Sequence, residues 1–464
     1  MDVNGFNEQL LEVLNKISSV VWGPAMLILL LGTGLYYTVR LRGLAFTKLL
    51  RAFKEIFKGD GDGEGDVSTY GALSTALAAT IGTGSIVGVA TALTVGGPGA
   101  LFWMWVSALL GMSTKYAEGF LAIKYRSFDE HGQVAGGPMY YIENGLGKKF
   151  RWLAKAFAFF GMFTALLGSG TFPQVNAITQ ATNTAFNFPV WAVGIIITIG
   201  AAVVIIGGIK SIANFASLVV PFMAALYVIG SLIILGVNHE HIGEAFNQIF
   251  TYAFDSYSMA GGAAGGIIIL ASQGLQLGVA RGVYTNEAGL GSSPIVMAAA
   301  KSSDTVKQGL VALTSVFITT IIVCTMTGLV ILTSGLLGTP GLDGAALSNA
   351  AYGQSLPYEA GKYIVTLGLI FFSFTTIVGW SYYGERCVVY LTDSLKYINV
   401  YKAFYILAIA VAPYLELRAI WTLADITNAL MAIPNLIGLL FLSPIVISET
   451  KAYFEREKYL QGKQ

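Results

Sequence analysis

An apolar segment long enough to span a bilayer, residues 69–95, carries Gly82-Thr83-Gly84-Ser85 at its middle, where a membrane helix should be continuous. In hydrocarbon, backbone N–H and C=O groups that leave a helix find no water to bond. An unwound turn therefore survives only where it lines a cavity or holds a ligand. Glycine at positions 82 and 84 also lets the backbone approach a ligand closely. The segment predicts a binding site in the middle of a broken membrane helix.

The glycines of this segment also permit a plainer interpretation. Gly82, Gly84 and Gly88 would then form a small-residue seam along which two membrane helices pack. Two glycines separated by a threonine and followed by a serine suit an unwound turn better than they suit a GxxxG seam. We therefore expect unwinding here and keep the seam as the alternative.

The composition places the chain in a membrane. Of its 464 residues, 55% are hydrophobic and only 11% are charged, which lies well outside the range of soluble globular domains. The formal net charge of +1 gives no bulk electrostatic signature of a nucleic-acid partner. Apolar runs of about 20 residues predict eleven transmembrane helices. They lie at residues 20–40, 70–95, 98–122, 152–171, 189–208, 213–236, 263–284, 308–333, 363–384, 403–417 and 420–447.

The distribution of Lys and Arg predicts how these helices are oriented, because positive loops are retained in the cytoplasm. The stretch after the first helix, residues 41–69, begins as a basic amphipathic segment, and the tail beyond residue 447 carries further Lys and Arg. The segments 172–188 and 238–262 contain neither. We expect a multi-pass protein of the cytoplasmic membrane with its N-terminus outside and its C-terminus in the cytoplasm.

Without the first helix, ten predicted crossings remain, and they divide into two groups of five. An odd number of crossings inverts the second group relative to the first. The first helix of each group is interrupted by glycines, at Gly82 and Gly84 in one and at Gly274 and Gly278 in the other. The predicted fold class is an all-α polytopic membrane protein with an N-terminal extra helix and a 5+5 inverted repeat. Its parts are an extra helix with an amphipathic linker (1–69), a first repeat (70–236), an extracellular connector (237–262), a second repeat (263–447) and a cytoplasmic tail (448–464).

A helix broken at membrane depth offers both kinds of backbone group to a ligand. The start of its second half, Thr83 to Ser85, has free amides and a positive dipole end that suit a carboxylate. The end of its first half, Ala78 to Ile81, has free carbonyls that suit a small hard cation such as sodium. A zwitterionic amino acid needs donors for its carboxylate and acceptors for its ammonium, and such a break supplies both.

Polar side chains inside the other spans are the next candidates, because each is costly in hydrocarbon unless it is used or paired. Thr375 and Thr376 place adjacent hydroxyls in the middle of the ninth span, where they are cation ligands or bond back to the preceding turn. Gln273 and Gln276 flank the second glycine interruption. Residues that are either pocket walls or capping and packing residues are Phe172, Gln174 and Trp380.

Charged residues within the spans are few. The spacing of Lys115 and Glu118 is that of an ion pair on one helix face, whereas Asp425 has no evident partner. All three histidines fall in predicted loops, and Cys324 and Cys387 have no evident partners. An intramembrane enzyme needs a nucleophile–base pair or a metal cluster within its spans, so we expect no enzyme. A channel would favour a continuous polar pore instead of an interrupted helix.

Three stretches carry a resemblance to a known family. They are GGPGALFWMWVSALLG from Gly96 to Gly111, GVARGVYTNEAGLGSSP from Gly278 to Pro294, and TTIVGWSYYGE from Thr375 to Glu385. They resemble recurrent segments of the alanine/glycine:cation symporters, and the resemblance covers essentially the whole chain. It implies a leucine-transporter-like fold and import of alanine and glycine with sodium, which would be a co-transported ion; no obligate protein partner is inferred. Coupling to protons in the same fold is the alternative.

The resemblance also implies site residues where this sequence matches the motif of leucine-transporter-like carriers. The substrate carboxylate is expected on the amides of Thr83 and Gly84, and bulk around the side-chain pocket is expected to exclude larger amino acids by clash. The predicted substrate-binding residues are Gly82, Thr83, Gly84, Ser85, Phe172, Gln174, Gln273, Gly274, Gln276 and Trp380. The implied sodium ligands are the carbonyls of Ala78, Ile81 and Phe372 and the hydroxyls of Thr375 and Thr376. A second sodium would use Thr80 and Ser85.

Overall fold

The computed structural model describes residues 3–58, 63–254, 273–415 and 417–461, and most of these residues are helical. Within them, the β structure is one short antiparallel hairpin of β1 (Ser127–Phe128) and β2 (Val134–Ala135) and an isolated bridge between Val67 and Ala300. The all-helical fold class predicted from the sequence is confirmed.

The helices up to residue 254 begin with a bent pair. Pro24 starts the second helix of the pair directly after Gly23, and the two helices meet at an angle of 41°. Proline lacks a backbone N–H and fits the first turn of a helix, so a new helix begins at this point. In chain order these helices are α1 (Val3–Val21), α2 (Pro24–Arg40), α3 (Leu44–Thr47), α4 (Leu49–Ile56), α5 (Thr69–Thr80), α6 (Val87–Gly96), α7 (Gly99–Lys124), α8 (Pro138–Leu146), α9 (Arg151–Leu167), α10 (Phe172–Phe186), α11 (Val190–Ile206), α12 (Gly208–Val237) and α13 (Ile242–Phe254).

The helices from residue 273 onward include one with a widened segment, in which a π-helical stretch, Phe317–Cys324, joins two α-helical parts. In chain order the α-helices are α14 (Gln273–Asn286), α15 (Ser293–Met297), α16 (Thr305–Val316), α17 (Thr325–Thr333), α18 (Gly344–Gln354), α19 (Gly361–Thr392), α20 (Ile398–Val411) and α21 (Leu417–Gln461).

Several helices are long and apolar enough to cross a membrane. Among the described residues there are six such helical segments, or seven if the bent pair of α1 and α2 is one span. α5 and α6 fall short because the chain breaks between them, and α11 because it has only 17 residues. Residues 263–272 of the seventh predicted span lie outside the described residues. The multi-pass character is confirmed, while the count of eleven spans and the inverted repeat stay predictions.

One predicted boundary is wrong. The fourth span was expected to end at residue 171 and to be followed by an outer loop, 172–188, but α9 bends at residues 168–171 and continues as α10 to Phe186. α10 is rich in polar side chains, which hid it from a search for apolar runs. Gln174, Asn176, Thr179 and Thr182 are buried against other helices: Asn176 Nδ2, for example, donates to the carbonyl of Ala412 at 3.0 Å.

Helices from the two predicted repeats pack against each other rather than only within their own group. α7 packs on α14 and α16, α9 packs on α19 and α21, and α12 packs on α5 and α19. Small residues allow the close crossings: a Cβ atom on Gly119 would lie 2.5 Å from Ala312 Cβ. This arrangement encloses the junction of α5 and α6 among α10, α14 and α19.

One end of the molecule, predicted to be cytoplasmic, is closed by backbone hydrogen bonds and an ion pair. The amide of Val67 donates to the Ala299 carbonyl at 3.1 Å, and the amide of Lys301 donates to the Val67 carbonyl at 2.8 Å. Nearby, buried Arg386 forms an ion pair of 3.1 Å with Asp129. The segment before α5 is therefore bound to the segment after α15 at this end.

Candidate binding site at the first helix break

The broken helix predicted from the sequence is present. α5 ends at Thr80, a single 3₁₀ turn covers Thr83–Ser85, and α6 begins at Val87. We call residues 81–86 the first break. All of them are buried, so an unwound backbone lies inside the protein at the middle of the predicted second span.

Side chains from other helices approach Gly82 of the first break closely, which leaves little room for a side chain there. A Cβ atom on Gly82 would lie 2.6 Å from Thr376 Oγ1 and 2.9 Å from Gln174 Oε1, distances at which one side must move. By contrast, a Cβ atom on Gly88 would come no nearer than 3.8 Å, to Arg281 Cδ. Gly88 therefore marks no packing seam, and the unwinding interpretation is the correct one.

The first break has buried polar groups that no protein group bonds. The amide of Thr83 donates to Gln174 Oε1 at 3.0 Å, and Gln174 Nε2 donates to the Ser169 carbonyl at 3.0 Å. The amide of Gly84 donates to no acceptor among the described residues, and the hydroxyls of Thr83 and Ser85 are buried without a hydrogen-bond partner there. An unbonded buried polar group costs about 1–3 kcal/mol. Three of them on consecutive residues indicate a place kept for a ligand.

Two further polar side chains complete this surface. A Cβ atom on Gly84 would lie 2.8 Å from Tyr284 Cδ1, so the Tyr284 ring of α14 packs directly on the break. Its hydroxyl faces Thr83 and Ser169 but makes no hydrogen bond among the described residues. Asn428 of α21 donates to Ser169 Oγ at 2.7 Å and leaves its Oδ1 unbonded. The surface thus offers unbonded donors and an unbonded acceptor.

The predicted cation ligands lie together directly below the break. Thr376 Oγ1 lies 3.0 Å from the carbonyl oxygen of Ala78, 3.4 Å from that of Ile81 and 2.9 Å from that of Phe372. Oxygen ligands of a calcium ion stand about 2.3–2.6 Å from the metal, and two such ligands at right angles are about 3.4 Å apart. Sodium has a similar radius, so each of the three carbonyl oxygens lies at a distance from Thr376 Oγ1 that neighbouring ligands of one cation can adopt.

Thr375 is placed less directly than Thr376. Its hydroxyl donates to the same Phe372 carbonyl at 2.9 Å and lies 3.7 Å from Met223 Sδ on α12, and it has no contact with Ala78 or Ile81 among its hydrogen bonds. Both threonine hydroxyls bond back to the preceding turn, which is the second of the two roles that the sequence allowed. Thr376 alone also reaches the carbonyls at the end of α5.

The sequence pattern of the sodium:alanine symporter family matches residues 7–464. This chain belongs to the sodium:alanine symporter family. It is 53% identical to an uncharacterized transporter of Haemophilus influenzae over 96% of this chain and 97% of that protein. It is 48% identical to the sodium/alanine symporter AgcS of Methanococcus maripaludis, over 96% of this chain and 98% of AgcS, and 34% identical to the probable sodium/glutamine symporter GlnT of Bacillus subtilis, over 97% and 92%.

The fold agrees with that assignment. The crystal structure of MhsT in complex with L-phenylalanine matches 84% of this chain and 99% of its own, with a TM-score of 0.52 at 12% sequence identity. This likeness places the symporter among leucine-transporter-like folds. The family is that of sodium-coupled amino-acid transporters of the membrane, as the three sequence stretches indicated.

The second glycine interruption was placed wrongly. In the symporter, α14 is continuous from Gln273 through Gly274 and Gly278 to Asn286. A Cβ atom on Gly274 would lie 2.9 Å from the Gly96 carbonyl oxygen, and one on Gly278 would lie 2.4 Å from that of Ala100. These glycines permit close helix packing. The chain instead leaves the helix at residues 287–292, which we call the second break.

Neither Gly274 nor Gln276 lies at the first break. Gly274 faces Gly96 at the far end of α6, a helix of ten residues and so about 15 Å long. Gln276 is half-buried about two turns before Tyr284 on α14, hence about 12 Å from the contact with Gly84. The side chain of Gln273 lies outside the described residues.

Phe172 and Trp380 are buried close to the polar surface. Phe172 begins α10 two residues before Gln174 and is 8% exposed. Trp380 lies one turn beyond Thr376 on α19, packs edge-on against Tyr383 with ring centroids 5.3 Å apart, and is 1% exposed. Their position agrees with pocket walls and equally with packing, so their role stays a prediction.

A cavity leads from the surface toward the first break. It has a volume of about 640 Å³ and extends along α6 from Val87 to Val95. The side chain of Val95 is 55% exposed, so the cavity reaches the surface there. Arg281 borders it and forms two hydrogen bonds of 3.0 Å with the two carboxylate oxygens of Asp425. This pair gives Asp425 the partner that the sequence left unidentified. It lies next to Tyr284, whose ring centroid is 5.8 Å from the Arg281 guanidinium.

Some site residues escaped the sequence analysis although a signal was present. Tyr284 follows Arg281 in the stretch quoted as a family signature, and Asn428 is an amide inside an apolar segment, which is costly unless used or paired. Ser169 lies at the bend before α10. Their partners are distant in sequence, so the spacing of motifs could not connect them.

Proposed function

We propose that this symporter imports alanine and glycine together with sodium by alternating access around the first break. The observation that carries the proposal is the adjacency of two features there. Unbonded donors at Thr83, Gly84 and Ser85 suit a carboxylate, and the oxygens of Ala78, Ile81, Phe372 and Thr376 directly below suit a monovalent cation. One place thus suits both members of the transported pair.

The substrate would be held by its two charged ends. Its carboxylate would accept from the Gly84 amide and the two break hydroxyls, helped by the positive end of α6. Its ammonium would donate to an acceptor such as Asn428 Oδ1, which has no donor among the described residues. Gln174 already occupies the Thr83 amide, so it would act as a wall that holds the break open rather than as a direct ligand.

Sodium would hold two parts of the protein together. Ala78 and Ile81 belong to the end of α5 and its break, whereas Phe372 and Thr376 belong to α19. An ion bound to all four adds an attraction between them, and filling the site therefore favours a closed arrangement of the break that binds substrate. Binding of sodium and of amino acid would then strengthen each other.

Access to the first break would be controlled at both ends. The Arg281–Asp425 pair borders the cavity beside α6, while the opposite end is closed by the backbone hydrogen bonds of Val67 and the Arg386–Asp129 ion pair. With the predicted orientation, this arrangement faces outward with a thin charged gate. Alternating access would be completed when the contacts at the predicted cytoplasmic end separate while the Arg281–Asp425 pair stays closed.

Selectivity for small side chains would depend on Trp380. In the conservative variant Trp380→Phe, the smaller ring enlarges any pocket that Trp380 limits, and we expect leucine and glutamine to inhibit labelled alanine uptake at least about fivefold more strongly than in wild type. Unchanged inhibition would show that Trp380 is a packing residue only.

Uptake of labelled alanine into proteoliposomes, with and without an imposed sodium gradient, tests the proposal. We expect uptake only with the gradient and competition by unlabelled glycine. In the double variant Thr375→Ala/Thr376→Ala the sodium-driven uptake should be lost, whereas Thr392→Ala, which removes a hydroxyl elsewhere on α19, should behave as wild type. Sodium-independent uptake driven by a pH gradient would contradict the proposal and favour the proton-coupled alternative.

A further inference from the structure

The second break is held by one buried carboxylate. Glu118 Oε1, on α7, accepts hydrogen bonds from the amides of Gly289 and Gly291 at 3.1 Å each and from Asn435 Nδ2 at 2.7 Å. We call these three bonds the Glu118 contact. The other carboxylate oxygen, Oε2, is buried and has no hydrogen-bond partner among the described residues. The Glu118 carboxylate thus accepts hydrogen bonds through one of its two oxygens only.

The charges around this contact do not balance. Lys115 and Glu118 are fully buried and Glu287 is 2% exposed. Lys115 does not pair with Glu118, contrary to the sequence expectation, and its Nζ donates instead to the Asn286 carbonyl at 3.0 Å. One lysine and two carboxylates leave a net negative charge when all are ionised, which is costly for buried groups. A bound proton would neutralise it.

The Glu118 contact is connected to the substrate site by a short path. The second break directly follows α14, whose Tyr284 packs on Gly84 of the first break. The two amides that Glu118 binds belong to residues with φ of 87° and 81°, a conformation open to glycine, and its hydrogen bonds hold the break in this arrangement. A change in the Glu118 contact would therefore shift the end of α14 relative to the first break.

We propose that Glu118 is a proton-binding positioning residue that holds the second break while it is ionised and releases it when it is protonated. A proton from water forms an O–H bond at the Glu118 carboxyl group, the three N–H bonds to Oε1 weaken, and the amides of Gly289 and Gly291 turn to other acceptors. No electrons are transferred, and the proton returns to water when the contact forms again. The inference rests on the proposed transport function and adds a proton-linked step to it.

The assignment to Glu118 rests on its position on an element outside the break. The titratable groups that face it are Lys115 on the same helix, Tyr37 on α2, Tyr141 on α8 and Tyr383 on α19, with Glu287 on the break itself across Lys115. Glu287 Oε2 accepts from Ser292 Oγ at 2.5 Å, a bond within the break that would move with it. Glu118 is, among the described residues, the carboxylate from another helix that bonds the backbone of the second break.

The test is alanine exchange by proteoliposomes that have the same pH, sodium and alanine concentrations on both sides. We expect wild-type exchange to fall about tenfold as the pH is raised from the acidic to the alkaline range, because the protonated fraction of Glu118 falls. Glu118→Gln should exchange at a rate that does not vary with pH, and Glu118→Asp should restore the variation. The control Glu449→Gln removes a carboxylate paired with Lys124 near the surface and should keep the wild-type profile.

A second measurement does not depend on any variant folding. Calorimetry of alanine binding to the wild-type protein in two buffers of different ionisation heat gives the number of protons taken up or released, and we expect a value different from zero. A value of zero, or a Glu118→Gln variant that keeps the wild-type pH profile, would overturn the inference. So would loss of the pH profile in Glu287→Gln but not in Glu118→Gln. Absence of sodium-driven uptake at every pH would instead refute the transport function.

Discussion

The two helix breaks of this symporter differ in what bonds their backbone. At the first break, the Gly84 amide and the hydroxyls of Thr83 and Ser85 have no partner among the described residues. At the second break, the amides of Gly289 and Gly291 both donate to Glu118. The first break has polar groups without a protein partner, whereas the backbone donors of the second break are bound by a side chain.

This difference indicates that the two glycine-containing breaks have different roles. Buried groups without partners make the first break stable only when a ligand supplies the missing bonds, so its stability is linked to binding. Buried groups that a side chain satisfies make the second break part of the framework. Substitutions at the first break should therefore change binding more than stability, and substitutions at the second should change stability more than binding.

The largest effect is expected for Gly291→Ala at the second break. Gly291 has φ of 81°, and a Cβ atom would lie 2.7 Å from Phe157 Cε2 and 2.8 Å from Asn435 Cγ. Left-handed strain and overpacking together should cost about 3 kcal/mol. A fluorescence-monitored thermal melt of the detergent-solubilised protein measures the loss.

The control for Gly291→Ala is Gly335→Ala. Gly335 has φ of 71° but nothing within 4 Å of a Cβ atom, so only the backbone strain of about 1–2 kcal/mol remains. Equal melting temperatures for the two variants would show that the second break is not tightly packed.

A smaller effect on stability and a larger one on binding are expected for Gly82→Ala at the first break. The added methyl would push Thr376 Oγ1 and Gln174 Oε1 apart, since both lie within 3 Å of its position. An overpacking cost of about 1–3 kcal/mol, borne in the bound state, weakens alanine binding about tenfold to a hundredfold. Scintillation proximity with labelled alanine measures this affinity.

Gly88→Ala is the matched control for Gly82→Ala, because its methyl would meet nothing nearer than 3.8 Å. It should bind alanine as wild type does. If Gly88→Ala impairs binding as strongly as Gly82→Ala, the first break is a packing seam after all.

A moderate effect is expected for Gln174→Leu. The variant leaves the Thr83 amide without its acceptor, so the free break loses a bond worth about 1 kcal/mol and its shape is less well defined. We expect alanine affinity to fall by up to about tenfold while the sodium concentration for half-maximal binding stays the same. A large shift in that sodium concentration would mean that Gln174 contributes to the cation site instead.

The first break could be predicted from the sequence because its signal is local. Gly82, Thr83 and Gly84 interrupt an apolar run. Unwound backbone at membrane depth is tolerated only where it is buried in protein or lines a cavity, because lipid offers no hydrogen-bond partners. Thr376 could be predicted for a related reason, as a hydroxyl placed in mid-span. Its neighbour Thr375 carries the same signal, but the helix turns its hydroxyl toward Met223 on α12.

The second break could not be located from the sequence because its signal is tertiary. Gly274 and Gly278 look like break residues but face the Gly96 and Ala100 carbonyls across a helix crossing. A packing glycine and a break glycine differ in what faces them, and this is absent from one sequence. The spacing of Lys115 and Glu118 misled for the same reason, since Lys115 bonds the end of α14 and Glu118 bonds the second break instead of each other.

The central claim is that the first break binds the amino acid over a cation shell in which Thr376 takes part and Thr375 is peripheral. The most direct test is the sodium dependence of labelled alanine binding to the purified wild type, Thr376→Ala and Thr375→Ala. We predict that Thr376→Ala needs at least about tenfold more sodium for half-maximal binding, and that Thr375→Ala shifts it less. Sodium activation of Thr376→Ala equal to that of wild type, or alanine binding that needs no sodium, would contradict the claim.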